Sequence, residues 1–532
     1  MGLTMDHTSV PKLLLVLAVA LLCHRYFRKQ AGPKLPPGPK PLPLLGNIRD
    51  LPPKGVPEYK HWLKHKALFG PISSVTVLGQ TVIILHDRRA VQDLLVNIKS
   101  AKKTSNRPRS EFALGLCGFD RFAVGRQPDE EWKTLRKLMH QQIGSKSALS
   151  RYHDVMEEET GRFLQRILRE PQNVPKLFKT VNSAIVLKIT YGYAIEQEKA
   201  DPLVELVEKM MNNFSNAFVP AAWLVDILPL LKYIPSGLPG TKFKQTAREW
   251  DRVNEELAEV PFSFARSQMD KADHTPSLVT RLLQEKHGTS YAEDAIKYSA
   301  ASIYSGGSDT LASSLASALL AMAMYPEVQR KAQAEIDRVV GQDRLPSFHD
   351  REKMPYLDAL ISETLRWLPV GPMGPAHAMV EDTVYNGYLF PKGAVLVSAI
   401  WWFTHDPDVY RDPDTFEPER YLEPRNEPDP RLLVFGHGRR ECPGRQFVDE
   451  TLFLIIAQLL AVYKVGKAVG KDGSEIEVKL EPIPGLVAYP ADFPYSITPR
   501  SAQKMEMLRG LEAKYPWGGS DSGLLRSHRA LL

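Results

Sequence analysis

A single cysteine stands in a loop rich in glycine and arginine near the C-terminal end of the chain. The stretch Phe435–Gly444 reads FGHGRRECPG, and Cys442 follows Arg439 and Arg440. Its three glycines let the backbone approach a flat, bulky group where side chains would collide. The arginines and the start of a helix near Arg445 should lower the pKa of the thiol and favour the metal-binding thiolate. This pattern predicts a metal–thiolate loop; a buried structural cysteine is the alternative.

The middle of a long predicted helix carries the second group of reactive residues. The sequence 306–310 reads Gly-Gly-Ser-Asp-Thr, inside a helical pattern that starts at a capping box of Ser290 and Glu293 and stops at Pro326. Such a helix is about 50 Å long. Each of the two adjacent glycines weakens it by about 1 kcal/mol. A compensating reason for them is therefore expected; otherwise the stretch is a flexible kink with a capping-type threonine at Thr310, next to Asp309.

Two further pairs of residues stand at helical spacing. Trp132 and Arg136 lie four residues apart on one face of a predicted helix, where the simplest interpretation is a solvated arginine over a packed tryptophan. Glu363 and Arg366 lie three residues apart, and Arg420 follows downstream in the sequence FEPER. Surface ion pairs of this kind are common, so the spacing alone carries little functional information.

Length and composition limit the class of protein. The chain has 532 residues, of which 43% are hydrophobic and 24% charged, so it can bury a large core and is not disordered as a whole. Its net charge of +6 suits an acidic partner or an anionic membrane surface, and no pattern suggests nucleic acid. Three scattered cysteines, Cys23, Cys117 and Cys442, indicate a reducing compartment and neither a disulfide framework nor a zinc site.

The first 34 residues have the character of a membrane anchor. The apolar run Leu13–Cys23 reaches the length of about 20 residues that a bilayer span needs only if Val10 and the pair Tyr26-Phe27 are included. Basic residues follow the run, which places the remaining chain in the cytosol, and no A-x-A cleavage motif is present. We expect residues 1–34 to form an uncleaved anchor with a basic flank; a cleaved signal peptide is the alternative.

The rest of the chain predicts a hinge, one large domain and a tail. Residues 35–47 are rich in proline and predict a stiff, extended hinge. Alternating apolar residues over 70–86 predict a β-hairpin around Gly79-Gln80, and helical patterns dominate afterwards. We expect a mainly α domain with small β-sheets over residues 48–500. The tail at 501–532 is expected to be a short helix followed by disorder.

The cysteine loop also carries a family resemblance. Phe435, Gly438, Arg440, Cys442 and Gly444 fit the pattern F-x-x-G-x-R-x-C-x-G, which resembles the haem-thiolate monooxygenases, the cytochromes P-450. The other motifs follow in the expected order over residues 35–500, and the chain is most similar to fungal microsomal members of the O-methylsterigmatocystin oxidoreductase type. The resemblance implies one large P-450-type domain behind the N-terminal anchor.

The resemblance also implies a role for each motif. Cys442 would be the axial ligand of the iron of haem b, held in a loop whose Phe435, Gly438, Arg440 and Gly444 contact the cofactor. Thr310 would hydrogen-bond dioxygen at the haem, and Asp309 would help to relay protons from solvent.

Three residues outside the loop would contact haem propionates, and three more would form a structural triad. The first set is Trp132, Arg136 and His377; the second is Glu363, Arg366 and Arg420. Ala376 replaces the proline that is common before His377, so a surface histidine is the alternative there.

The implied reaction is the insertion of one oxygen atom from O2 into a hydrophobic small molecule, by hydroxylation or multi-step oxidation in fungal secondary metabolism. Electrons would come from NADPH through a separate cytochrome P-450 reductase, because the chain has no dinucleotide fingerprint. Arg431, Arg439, Arg440 and Arg445 would form the docking face for it. The enzyme would reside in the membrane of the endoplasmic reticulum, with its catalytic domain in the cytosol.

Other functions remain open at this point. A detoxifying hydroxylase of xenobiotics would look the same, whereas a haem-binding sensor or carrier, or a haem-thiolate isomerase, would not need Asp309 and Thr310. The substrate itself does not follow from the sequence. The resemblance implies a lid over residues 205–240, which are apolar and broken by prolines. Substrate contacts are expected from largely apolar segments at residues 105–125, 205–235, 300–306, 368–376 and 484–488.

Overall fold

The computed structural model describes residues 33–197, 199–219, 222–271, 274–285 and 292–525. The predicted membrane anchor at residues 1–34 therefore lies outside the described residues, except for its last two positions. Ser290 of the predicted capping box lies outside them as well.

Helices make up most of the described chain. They are α1 Glu58–Phe69, α2 Arg88–Val91, α3 Ile98–Thr104, α4 Glu130–Ile143, α5 Lys146–Leu149, α6 His153–Arg169, α7 Val174–Tyr191, α8 Pro202–Ala217, α9 Leu224–Ile227, α10 Lys242–Gln268, α11 Leu278–Glu285, α12 Glu293–Met324, α13 Pro326–Val340, α14 Pro355–Trp367, α15 Ile400–His405, α16 Arg431–Val434, α17 Arg445–Val462 and α18 Ala502–Lys514. Short 3-10 and π turns join several of them. The prediction of a mainly helical domain with small sheets is confirmed.

The strands form small separate sheets. They are β1 Ile72–Val77, β2 Gln80–Leu85, β3 His377–Ala378, β4 Thr383–Tyr385, β5 Tyr388–Phe390, β6 Val395–Ser398, β7 Tyr463–Lys467, β8 Pro482–Ile483, β9 Tyr489–Pro490 and β10 Tyr495–Pro499. The largest sheet has the order β1-β2-β6-β3, with β2 and β6 parallel and the other pairs antiparallel. The three remaining pairs are β10-β7, β4-β5 and β8-β9. In the predicted hairpin, the turn falls at Leu78 and Gly79, whose φ angles of 49° and 87° suit a two-residue turn.

The proline-rich segment lies along β1. Ser74 donates its backbone N–H to Pro37 O at 2.9 Å and its hydroxyl to Pro36 O at 2.6 Å. A side chain at Gly38 would place its Cβ only 1.9 Å from Ser74 O, so glycine is required for this close approach. The predicted hinge is thus bound to the sheet over part of its length.

Helix α12 runs through the core and is buried along most of its length. Its 32 residues correspond to about 48 Å. It packs against α7, where Val186 comes so close to Gly307 that a Cβ there would lie 2.9 Å from a Val186 methyl carbon. The helix ends at Met324, before Pro326, which opens α13 as the sequence predicted.

Among the described residues, no single helix is both long and apolar enough to cross a membrane. Helices α12 and α13 reach that combination only as a pair, and their axes are bent by 106° relative to each other.

The C-terminal segment differs from its expected disorder over residues 515–525. Helix α18 places Leu508 and Leu511 in the core, and Leu525 at the end of the described chain is buried too. Between them, the Trp517 ring lies against the guanidinium groups of three arginines of α6, at 6.0, 4.9 and 5.4 Å from Arg162, Arg166 and Arg169. Apolar burial and these contacts hold a polar-looking stretch in place.

Glu363 on α14 is the centre of a fully buried ionic network. Its carboxylate accepts two hydrogen bonds of 2.8 Å from Arg366 and one of 3.0 Å from Arg420. Tyr421 donates its hydroxyl to the same group at 3.0 Å, and the backbone N–H of Glu417 donates at 2.8 Å. Both ion pairs have no side-chain exposure. The three residues predicted as a structural triad are therefore in contact and join α14 to the segment before the cysteine loop.

Replacing Glu363 by glutamine should destabilise the domain by about 3–5 kcal/mol, because Arg366 and Arg420 would keep buried charges without a carboxylate. Chemical denaturation of the purified protein measures this change. The control is Glu327→Gln, which removes an i,i+3 pair whose side chains are 71% and 68% exposed and should leave stability unchanged. Equal stability of the two variants would contradict a structural role for Glu363.

Candidate active site

The cysteine loop is held against the rest of the domain by backbone contacts. Cys442 donates its N–H to Phe435 O at 2.8 Å, which closes the loop between α16 and α17. Gly438 has a φ of 56°, and a Cβ there would lie 2.0 Å from Leu95 O. Any other residue at 438 would collide with the backbone of the 92–96 turn, so this glycine serves a close approach of two chain segments.

The Cys442 side chain is exposed, although protein close to the thiol removes part of its hydration. Burial raises the pKa of this thiol, while the Gly444 N–H and the Arg136 guanidinium oppose the rise. The expectation that Arg439 and Arg440 lower this pKa is therefore wrong: desolvation dominates, and the nearby cation is Arg136. A thiol of this kind becomes a thiolate outright when it coordinates a metal.

The middle of α12 is likewise open. Gly306 is exposed inside a helix that is otherwise mostly buried, and no heavy atom would lie within 4 Å of a Cβ built there. The Thr310 hydroxyl donates to Gly306 O at 2.7 Å. A Cβ at Gly307 would lie 3.7 Å from the ring of Phe447, five residues after Cys442, so α12 and the start of α17 are neighbours.

Two arginines, Arg136 and Arg440, lie beside Cys442. Arg136, on α4, donates to Glu441 O at 2.7 Å, immediately beside the cysteine. Arg440 donates to Ser105 O at 2.8 Å and Arg126 O at 2.7 Å. Both guanidinium groups are thus bound by neutral carbonyl groups.

A third arginine, Arg107, completes this group and was not identified from the sequence. It donates to Pro375 O at 2.9 Å, Ala376 O at 2.7 Å and Val124 O at 2.8 Å. Its neighbours in the chain, N-R-P-R-S, give no periodic or motif signal; only its place in the segment 105–125 hinted at a role.

The three arginines share one electrostatic property. Within the described part of the chain, none of them lies within ion-pair distance of a carboxylate. Burial lowers the pKa of Arg107 to about 10 and that of Arg440 to about 9, and the other arginines lower both further. Burial also lowers the pKa of Arg136. We define Arg107, Arg136 and Arg440 as the arginine cluster.

His377 lies beside the arginine cluster. Its Nδ1 is 3.0 Å from Thr104 O, and the side chain is buried on strand β3. Burial, followed by the charge of Arg107, lowers its pKa to about 3, so the imidazole is neutral at physiological pH. The alternative prediction of a surface histidine is therefore wrong, because the pairing of β3 with β6 places His377 in the interior.

The ring of Trp132 contacts two guanidinium groups of the arginine cluster. Arg440 is 4.5 Å and Arg136 5.5 Å from its ring, as in cation–π contacts. Its indole N–H donates to Ala123 O at 3.2 Å. The predicted contact of Trp132 with a propionate stays a prediction, and its visible role is to support the two guanidinium groups.

The residues around Cys442 fit a haem. Buried or half-buried cations without carboxylates are costly, and two carboxylates of a bound ligand would compensate them with charge-assisted hydrogen bonds. The two propionates of haem supply such groups, and guanidinium forks suit their geometry. The Cys442 thiol beside them has the chemistry of an axial ligand.

A cavity of about 610 Å³ adjoins the arginine cluster, since Arg107 lines it. Most of the expected substrate segments contribute to its wall, including residues 107–110, 214–219, 372–376 and 483–488. Residues 300–306 do not, and neither Cys442 nor Thr310 belongs to the wall. The cavity therefore lies beside the arginine cluster, on the side of β1 and the lid, and its volume suits a small organic molecule.

The lid closes over this cavity through three contacts. Asp226 of α9 accepts a hydrogen bond of 2.9 Å from the Phe112 N–H, and the Phe112 ring stacks on Trp223 at 3.5 Å. Lys232 forms an ion pair of 2.9 Å with Glu111. The outer side of the lid exposes apolar residues: Leu224, Leu228, Leu230, Tyr233 and Leu238.

The docking face expected from four arginines is not present as such. Arg440 is buried, and Arg431 is engaged with Asp358, Asp429 and Asp449 inside the protein. Arg445 pairs with Glu441, and Arg439 donates to the Ser105 hydroxyl at 3.1 Å. Two of the four charges thus serve internal contacts, which the loop sequence could not reveal.

Comparison with known proteins is consistent across the whole chain. A family model described as cytochrome P-450 matches residues 36–487. A multifunctional cytochrome P-450 monooxygenase of Aspergillus fumigatus is 46% identical over 518 residues, which cover 96% of each chain. A cytochrome P-450 monooxygenase of Gibberella zeae is 44% identical over 98% of this chain and 99% of its own. An O-methylsterigmatocystin oxidoreductase of Aspergillus flavus is 39% identical over 93% of both. The resemblance drawn from the motifs is confirmed.

Removing one charge of the arginine cluster should have opposite effects on the haem-free and haem-loaded protein. In Arg136→Met, we expect haem to dissociate at least about tenfold faster, because a charge-assisted hydrogen bond is lost. The haem-free protein should unfold at an equal or higher denaturant concentration, because Arg107 and Arg440 lose a like charge. Haem transfer to apomyoglobin and denaturation of the apoprotein measure the two quantities.

Lys133→Met is the matched control for Arg136→Met. Lys133 lies one turn away on the same helix and pairs with Glu130 at the surface. It should change neither quantity. Equal haem retention in the two variants would show that the arginine cluster does not hold the cofactor.

Proposed function

Because this chain belongs to the cytochrome P-450 family and is a haem-dependent monooxygenase, we propose that Cys442 is the axial thiolate ligand of its haem iron. The observation that carries this assignment is the Cys442 thiol beside an arginine cluster that has no carboxylate partner among the described residues. Haem, when bound, supplies activation of O2 and oxidation of an unactivated C–H bond, with electrons from NADPH through a reductase.

The chain's own residues position the cofactor and protect it from water. Arg136, Arg440 and Arg107 would bind the propionates, and neutral His377, whose Nδ1–H donates to Thr104 O, would keep Nε2 as an acceptor beside them. The loop glycines would let the backbone lie close to the flat face of the ring, in contact with Phe435. The arginine cluster, costly by itself, becomes a binding determinant for this dianion.

Thr310 and Asp309 would deliver protons during the reaction. The Thr310 hydroxyl, on the open face of α12, would hydrogen-bond dioxygen, and Asp309 would bring protons from the solvent side. The glycine pair before them keeps that face clear of side chains, which explains why a helix would retain two residues that weaken it.

The substrate would be a hydrophobic small molecule that reaches the haem through the cavity under the lid. The cavity has a volume of about 610 Å³, and its wall is largely apolar. Arg107, Ser110, Asp226 and Glu58 are among the polar residues of the wall. The similarity to an O-methylsterigmatocystin oxidoreductase supports a role in fungal secondary-metabolite biosynthesis. Several such relatives are monooxygenases of fungi, which favours biosynthesis over detoxification.

The enzyme would act at the membrane of the endoplasmic reticulum. Residues 1–34 would anchor it, and the exposed apolar residues of the lid, with Leu44 at 97% exposure in the hinge, would face the same membrane. The cavity mouth at the lid would then open towards the lipid, where hydrophobic substrates collect.

Cys442→Ala should abolish the red-shifted Soret band of the reduced carbon monoxide complex, together with NADPH-dependent product formation. The physical reason is that the variant lacks the only thiolate that this loop can offer the iron. The difference spectrum of the folded variant measures this, and Cys117→Ala, at a buried cysteine far from the loop in sequence, should keep the wild-type band. A wild-type spectrum in Cys442→Ala would sink the assignment.

Thr310→Ala should keep the haem and its spectrum but divert electrons into hydrogen peroxide. The hydroxyl that orients dioxygen is lost, while the axial ligand and the arginine cluster remain. Peroxide formed per NADPH consumed is the quantity to measure, with Ser314→Ala, one turn further along α12 and fully buried, as the control. Unchanged coupling in Thr310→Ala would remove Thr310 from the mechanism.

A further inference from the structure

A tyrosine from a distant strand is bound to the acidic residue of α12. Tyr489, on β9, donates its hydroxyl hydrogen to both the backbone carbonyl and the carboxylate of Asp309, at 2.6 Å and 2.7 Å. The two residues are 180 positions apart in the chain. One hydroxyl thus holds the main chain and the side chain of the same residue.

This contact lies at the weakest part of the helix. Gly306 and Gly307 precede Asp309 by three and two residues, and glycine lowers helix stability by about 1 kcal/mol per residue. A helix carbonyl ordinarily accepts one hydrogen bond from the N–H four residues on, so a second donor from outside the helix is an added constraint. The Tyr489 hydroxyl therefore restricts where the Asp309 carboxylate can lie.

The outer side of Asp309 leads towards solvent. Lys179 of α7 is 3.5 Å from the carboxylate and 3.9 Å from Glu208 of α8. Side-chain exposure rises along this row, from 15% at Asp309 to 35% at Lys179 and 44% at Glu208. The Lys179 ammonium also lies 5.4 Å from the Tyr489 ring.

Tyr489 donates at every working pH. Burial, followed by the charge of Asp309, raises the pKa of its hydroxyl far above the usual range, so the proton stays on the oxygen. A protonated hydroxyl can give Asp309 a hydrogen bond and cannot compete with it as a base.

The strand does not need this hydroxyl to stay attached. Ser313 of α12 donates its hydroxyl to Ala488 O, and the Ala488 N–H donates to Val370 O at 2.8 Å. These bonds join the residue before Tyr489 to two other elements. Removal of a single oxygen atom from Tyr489 should therefore leave the strand in place.

We propose that Tyr489 is a positioning residue for proton delivery, which holds the Asp309 carboxylate between the solvent-side Lys179 and the reaction side at Thr310. The inference rests on the proposed role of Asp309. Tyr489 itself touches neither substrate nor cofactor in this assignment; it acts through Asp309.

The test is Tyr489→Phe in the full-length, haem-loaded enzyme with reductase. Product formed per NADPH consumed should fall about tenfold and peroxide should rise to match, the size expected for a lost hydrogen bond to a charged group. The C–O stretching band of the reduced carbon monoxide complex should broaden, because the polar groups of α12 beside it are no longer fixed. The Soret position should not change.

The matched control is Tyr495→Phe on β10, the next strand along the chain. Its hydroxyl accepts the Val174 N–H at 2.9 Å and has no bond to α12. It should keep both wild-type coupling and a wild-type C–O band. If the two tyrosine variants behave alike, the inference is wrong.

A third variant, Asp309→Asn, separates the inference from the function on which it rests. If Asp309→Asn loses coupling and Tyr489→Phe does not, Asp309 relays protons without help from Tyr489, and only the inference fails. If Asp309→Asn keeps wild-type coupling, the proposed role of Asp309 fails, and the inference fails with it. Support requires that Tyr489→Phe add nothing to the loss of coupling in Asp309→Asn.

Discussion

Holding positive charge away from water without a carboxylate partner is costly, and this fold accepts that cost beside the Cys442 loop. Arg107, Arg136 and Arg440 come from three separated parts of the chain and are held by backbone carbonyls alone among the described residues. Carbonyl groups satisfy their hydrogen bonds but do not neutralise their charge. A dianionic ligand would complete this arrangement, and the Cys442 loop, the Trp132 helix and strand β3 all lie beside it.

The ionic network at Glu363 shows the opposite solution. There the guanidinium groups of Arg366 and Arg420 share a buried carboxylate, and a tyrosine and a backbone N–H complete its coordination. Such a network stabilises one arrangement of α14 and the segment before the loop, because loss of any partner leaves a buried charge. The charges at Glu363 are thus compensated within the protein, whereas those of the arginine cluster have no carboxylate partner among the described residues.

Helix α12 carries a similar division between stability and function. Most of its length is buried among apolar and small residues, whereas Gly306 and Gly307 weaken the centre and leave one face open. The Tyr489 hydroxyl binds Asp309 from outside the helix. A hydrogen bond from outside the helix can fix the position of Asp309 because hydrogen bonds are directional. A bulky side chain in contact with the helix would instead fill the space that the reaction needs.

Local patterns in the sequence were sufficient for several features. The spacing of Phe435, Gly438 and Cys442 predicted the family, and helical periodicity predicted the long helix that ends before Pro326. Glycine, proline and periodicity act over a few residues, so their effects are visible without a fold. The same logic could not find Arg107 or Tyr489, because their partners lie 268 and 180 positions away along the chain.

The tertiary structure alone decided which charged groups are paired and which are not. Arg431 and Arg440 look alike in sequence, but one is neutralised by three aspartates and the other has only carbonyl partners. The Cys442 thiol was expected to have a low pKa, yet its burial raises it. Composition states how many charges a chain carries. Whether each is paired, solvated or left for a ligand depends on burial and long-range contacts, which arise only when distant segments pack together.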